Sequence, residues 1–148
     1  HSLLAIYLNS DVIRMRCVSN FLFVSGSEFD RLIVCDVLRR ALPDAEVKGF
    51  SSSEEALEWI ESLPKDELPQ IILMDLITTT AGGHHLADLI RAIPGCEAIP
   101  YIFLCESSPR GVPARLVSSA NGLLVERSLD LDQMEKDLEQ AISQVVER

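Results

Sequence analysis

Residues 71–75 read Ile71-Ile72-Leu73-Met74-Asp75, four apolar side chains in a row that end on a carboxylate. A strand with one wet face alternates apolar and polar residues. A run that is apolar on both faces belongs to a strand covered on both sides, as parallel sheets require. The same grammar recurs along the chain. Phe21-Leu22-Phe23-Val24 stops at Ser25-Gly26, and Gly122-Leu123-Leu124-Val125 runs into Glu126-Arg127. Pro100 opens Tyr101-Ile102-Phe103-Leu104-Cys105, the first position of a strand being one where proline is tolerated. Glu46 to Phe50 is a weaker fifth strand.

Amphipathic stretches separate these runs. Phe29, Ile33, Val37 and Ala41, with Leu38 and Leu42, recur at helical spacing until Pro43. Ser52-Ser53-Glu54-Glu55 is a capping box opening a helix that carries Leu57, Ile60 and Leu63 and stops at Pro64. Leu86, Leu89, Ile90 and Ile93 follow i, i+3, i+4, i+7, and a weaker helix covers Val112 to Ala120. Asp130 caps a last helix with Leu131, Met134, Leu138, Ala141, Ile142 and Val145 on one side. Five buried strands alternating with five helices imply a three-layer, doubly wound α/β domain around a five-stranded parallel sheet. Such sheets put their working residues in loops at the strand carboxyl ends, which here begin at Ser25, Asp75, Cys105 and Glu126.

That domain spans residues 20–148, and residues 1–19 form a short N-terminal extension. Ile13-Arg14-Met15-Arg16-Cys17 alternates like a strand, with Leu3 to Leu8 as a hairpin partner or a short helix. The extension reads as packed against the domain or as the tail of an upstream segment, and more sharply as an added strand or dimer contact.

The whole is 148 residues, 47% hydrophobic and 24% charged, which allows a packed core and excludes wholesale disorder. No apolar run reaches the roughly 18–20 residues of a membrane span, and Leu3 to Leu8 lacks the basic flank of a signal peptide. A net charge of −10 argues against direct contact with nucleic-acid phosphates. The acidity is uneven: residues 51–75 hold seven carboxylates against Lys65 alone, and residues 126–148 hold seven against three bases. Solvated acidic helix faces account for this, with docking onto a basic partner as the sharper reading. Cys17, Cys35, Cys96 and Cys105 form no CxxC pair, so zinc spacing is absent and a reducing cytoplasm fits. His84 and His85 are adjacent, a poor metal pair on a helix. Thr78-Thr79-Thr80 reads as a polar loop and Gly82-Gly83 as a tight turn.

From about Asn20 to Val146 the chain resembles the receiver domain of bacterial two-component response regulators, with its CheY-like, flavodoxin-like fold. The resemblance rests on Leu73-Met74-Asp75-Leu76-Ile77, Gly83 eight residues after Asp75, and the helix from Leu86 to Arg91. Ile99-Pro100 before Tyr101 and Ala120-Asn121-Gly122 before the fifth strand add to it. It implies Asp75 as the phospho-acceptor position. It also implies an acidic pair after strand one that would bind Mg²⁺ with Asp75, and here Ser25 and Gly26 stand in its place. The hydroxyl residue ending the family's fourth strand is Cys105, a weaker donor to a phosphoryl oxygen. The family's lysine after strand five is replaced by Glu126, or by Arg127 under a one-residue shift. A unit charge pair at about 4 Å is worth roughly 4 kcal/mol at an effective dielectric near 20, so Glu126 would work against a phosphorylated Asp75. The switch aromatic expected on strand five is Leu123.

The expectation is therefore a degenerate receiver, not an enzyme, acting as a phosphorylation-independent protein-interaction module in two-component signalling. No cofactor is expected. Partners would be a histidine kinase, a downstream signalling protein or a second copy, bound through the fourth helix, fifth strand and fifth helix, with no nucleic acid and no membrane. The alternative is a working phospho-acceptor, with Mg²⁺ held weakly by Asp75 and the Ile77 carbonyl. A flavodoxin-like enzyme is disfavoured, because Asp75-Leu76-Ile77 lacks a second carboxylate two residues on.

Overall fold

The computed structural model describes residues 20–75, 80–81, 84–105 and 122–147. Over these, five parallel strands form one sheet: β1 (Asn20–Val24), β2 (Glu46–Phe50), β3 (Ile71–Asp75), β6 (Tyr101–Cys105) and β7 (Gly122–Glu126). Their spatial order is β2-β1-β3-β6-β7, the doubly wound order whose switch point lies between β1 and β3. The register is unbroken, with Val24 opposite Met74, Asp75 opposite Leu104 and Cys105 opposite Glu126. The carboxyl ends of the four strands from β1 to β7 therefore lie along one edge.

The apolar runs supply both faces. Phe21, Phe23, Ile71, Leu73, Ile102 and Leu104 pack under α1 (Glu28–Ala41) and α4 (Leu131–Glu147). Their neighbours Leu22, Val24, Ile72, Met74, Tyr101 and Phe103 pack under α2 (Ser53–Ser62) and α3 (Leu86–Arg91). Alternation along each strand makes the partition, one parity to each layer. The helix ends follow local chemistry. The Ser52 hydroxyl accepts from the N–H of Glu55 to cap α2, and the Asp130 carboxylate accepts from the N–H groups of Asp132 and Gln133 to start α4.

Several expectations change or fall outside what is described. The strand β2 is not buried: Glu46, Lys48 and Gly49 are exposed, because β2 is an edge strand. At the other edge, Leu124 of β7 is also exposed. A two-stranded antiparallel ribbon, β4 (Thr80–Ala81) and β5 (His84–His85), stands where only a loop and a turn were read, and α3 starts directly after it. The helix read over 112–120, the N-terminal hairpin, Ile77 and Gly82-Gly83 lie outside the described residues.

His85 does not act as a helix-face residue. Its Nδ1 accepts the N–H of Ala87 at 3.1 Å, so the imidazole caps α3 while its ring meets Phe103 edge-on at 6.0 Å. The turn after α3 uses Gly95 at φ +96°, a conformation that favours glycine.

Candidate functional site at the carboxyl edge

Asp75 closes β3, half-buried, and shares strand parity with Ile71 and Leu73, so it belongs to the α1/α4 side of the sheet. Beside it, β1 gives way to Ser25-Gly26-Ser27. Ser25 is fully buried, and each of its polar groups has a partner. Its N–H donates to the Phe50 carbonyl at 3.1 Å, and its hydroxyl accepts the Ser27 N–H at 3.2 Å. Its carbonyl accepts the Arg31 guanidinium. Ser27 in turn caps α1, its hydroxyl accepting the Asp30 N–H at 3.2 Å. The segment that would carry an acidic pair is thus a capping turn built from hydroxyls. The stem of Arg31 lies over β2, with its Cδ at ordinary contact distance, 3.8 Å, from where a Gly49 side chain would begin.

Cys105 falls on the opposite side, with Tyr101 and Phe103. Its thiol lies 3.6 Å from the Val125 carbonyl as a weak donor. Burial, and secondarily the Glu126 carboxylate, push the Cys105 thiol above its ordinary range. Both effects disfavour the reactive thiolate.

At the end of β7 Glu126 and Arg127 have different surroundings. Val125 packs into the α1/α4 core, so Glu126 points to the other side and is exposed. The ladder continues one residue further, the Arg127 N–H donating to the Cys105 carbonyl at 2.7 Å. The Arg127 side chain then returns to the α1/α4 side and meets Asp30, Nη2 to Oδ1 at 2.8 Å, with Asp30 only 8% exposed. By strand parity Glu126 and Asp75 belong to opposite sides of the sheet. Arg127 lies on Asp75's side of the sheet, paired with a carboxylate from α1.

Sequence reasoning named Ser25, Gly26, Asp75, Cys105, Glu126 and Arg127, and the register gathers them at one edge. It missed the parts played by Ser27, Asp30 and Arg31. Ser27-Glu28-Phe29-Asp30 carries the hydroxyl-then-acid spacing of a helix start, which signals the cap. Nothing local signals the Asp30–Arg127 pair, whose partners meet only through the sheet. As cation ligands the donors are few. Asp75 brings one carboxylate, the Ser25 carbonyl already accepts from Arg31, and no cluster of three or more His, Cys, Asp or Glu side chains suited to a metal ion occurs among the described residues.

No family model and no curated protein matches the chain. Solved structures do. The response regulator domain of Thermotoga maritima CheB is 23% identical with a TM-score of 0.65, over 88% of this chain and 98% of that one. The signal receiver domain of the DNA binding response regulator protein merR from Colwellia psychrerythraea 34H is 17% identical with a TM-score of 0.66, over 88% and 99%. The chemotaxis response regulator CheY4 of Vibrio cholerae is 18% identical with a TM-score of 0.64, over 84% and 98%. The class these define is the CheY-like, flavodoxin-like α/β fold. This chain has that fold, with each of those domains covered almost end to end. No helix among the described residues is long and apolar enough to cross a membrane.

Proposed function

We propose that the chain is a receiver-type module of two-component signalling that acts through protein contacts rather than through Mg²⁺-dependent phosphorylation. The observation that carries this reading is the Ser25-Gly26-Ser27 turn. Its polar groups hold α1 and Arg31, and it brings no carboxylate to Asp75. Phosphoryl transfer depends on cations that neutralise charge on the transferred group. A hard divalent ion prefers several oxygen ligands, and the described donors do not fit one. Arg127, a cation on the Asp75 side, is paired with Asp30.

The contact surface in this reading is the β7 edge with α4. Leu124 is 38% exposed there, beside a hollow walled by Glu126, Asp137, Gln140 and Gln144. The partner is a histidine kinase, a downstream signalling protein or a second copy, and the module has no catalytic step of its own.

The test is incubation of the intact chain with acetyl phosphate, or with beryllofluoride, in the presence of Mg²⁺, read by intact mass and by spectral change. The expected result is no Mg²⁺-dependent adduct. An adduct that is lost in Asp75→Asn would replace this reading with that of a working phospho-acceptor.

A further inference from the structure

The sheet has two edges, and β2 is the one beside β1, where residues 1–19 join the fold at Asn20. The Phe50 carbonyl accepts the Ser25 N–H, so Phe50, Lys48 and Glu46 turn their backbone groups toward β1. Val47 and Gly49 turn theirs outward, a row of donors and acceptors that suits another strand. The two faces of this edge differ. On the α1 side Val47, with Ala41, Ala45 and Cys35, is a half-buried apolar side chain at the margin of the core. On the α2 side a hollow of about 390 Å³ opens at the amino ends of β1 and β2, walled by Asn20, Glu46, Lys48, Trp59, Leu63 and Glu67. Lys48 lies over the Phe50 ring, 5.9 Å from its centre, while Glu46 and Glu67 are exposed. The neighbouring α2 carries Glu54, Glu55, Glu58 and Glu61 and no basic residue, so this side calls for cations.

The segment Ile13-Arg14-Met15-Arg16-Cys17 matches both faces at once. In an extended chain Ile13, Met15 and Cys17 share one side, and Arg14 and Arg16 share the other. We propose that residues 13–17 lie along the outer edge of β2 as a sixth, antiparallel strand, covering Val47 with their apolar side and sending Arg14 and Arg16 into the acidic hollow. The reach agrees. A strand beyond β2 stands two spacings from β1, roughly 9–10 Å, and the three steps from Cys17 to Asn20 span at most about 10–11 Å. The connection from α1 enters β2 from the α1 layer, which leaves the α2 side, where the hollow is, for Val18 and Ser19. The other edge, β7, lies three strands away from β1, beyond that reach. A second copy pairing with β2 would compete from solution against a segment tethered at an effective concentration on the order of millimolar. The seat lies at the amino ends of the strands, opposite the edge of Asp75, so it does not depend on whether Asp75 takes a phosphoryl group.

The test is amide hydrogen exchange, read residue by residue by NMR on the full chain at low and at high protein concentration. The forms compared are the unsubstituted chain, Met15→Asp, the pair Arg14→Glu with Arg16→Glu, the pair Glu46→Lys with Glu67→Lys, and all four charge reversals together. The Lys48 N–H faces β1 and serves as the internal reference. Trp59, the single tryptophan of the chain, reports on the hollow through acrylamide quenching. Val47 and Gly49 should exchange about tenfold or more faster in Met15→Asp than in the unsubstituted chain, with Lys48 unchanged. Either charge-reversed pair should speed the same two amides and open Trp59 to the quencher, and the fourfold reversal should restore both readings. Exchange at Val47 and Gly49 that is indifferent to Met15→Asp would overturn the proposal. So would a fourfold reversal that restores nothing, or loss of Lys48 protection together with theirs, which would make Met15 part of the core and not of an edge strand. Protection that appears only at high concentration would assign the β2 edge to a second copy and overturn it as well.

Discussion

The body of the sheet and its carboxyl edge obey different rules. In the body, side chains on β1, β3 and β6 are buried and apolar, and alternation alone assigns each to the α1/α4 or the α2/α3 layer. At the edge, one residue further along each strand, the same backbone presents a hydroxyl at Ser25, a carboxylate at Asp75, a thiol at Cys105 and a carboxylate at Glu126. None of these follows from the pattern that precedes it. The body tolerates any sequence that fills its volume, whereas the edge depends on which polar group meets which. A shared fold can therefore persist at under 25% identity without fixing what stands at the edge.

The comparison can be broken first in the body. Phe103 is fully buried, stacked on Tyr101 at 5.8 Å and met by His85. Phe103→Ala should cost about 3–5 kcal/mol in denaturant unfolding, the range for aromatic truncation in a core. A loss below about 1 kcal/mol would mean that the layer is not packed as described.

At the edge the expected effect is smaller. Asp30→Ala leaves the Arg127 guanidinium without its carboxylate, and Arg127 is 28% exposed, so water compensates in part. A loss of about 1–2 kcal/mol is expected, below the roughly 3–5 kcal/mol of a fully buried broken pair. A double-mutant cycle with Arg127→Met reads the coupling itself. Coupling indistinguishable from zero would remove the pair from the account of the edge.

Tyr101 sharpens the contrast through pH. Burial, more than any neighbouring charge, raises its phenol well above the ordinary range, and its hydroxyl reaches the Ala87 carbonyl at 3.5 Å. Above pH 10 the unfolded chain loses the phenolic proton while the folded chain keeps it. The contribution is thus complete below about pH 10 and is lost as pH rises, by at most about 1.4 kcal/mol per pH unit. Stability of the chain should fall over pH 10–11, and Tyr101→Phe should flatten that part of the profile. An unchanged slope would place the titration elsewhere.

The legible parts of the molecule are those governed by short-range rules. Ile71-Ile72-Leu73-Met74 announces a strand covered on both faces, and Ser52 with Glu55 announces a helix start, because each signal is complete within a few residues. β2 is not buried because burial depends on position in the sheet, and Glu46, Lys48 and Gly49 are the local trace of an edge strand. The ribbon of β4 and β5 was missed because two-residue strands are too short to show a period, and His85 as a cap was missed because imidazole is not among the usual capping side chains.

By itself the sequence determined the parallel α/β architecture and the set of residues ending each strand, since periodicity and strand ends are local properties of a chain. Only the tertiary structure decided which of Glu126 and Arg127 shares a side with Asp75, and that Arg127 spends its charge on Asp30. Side-chain parity and the crossing of α1 over the sheet place those groups, and both depend on how distant segments pack.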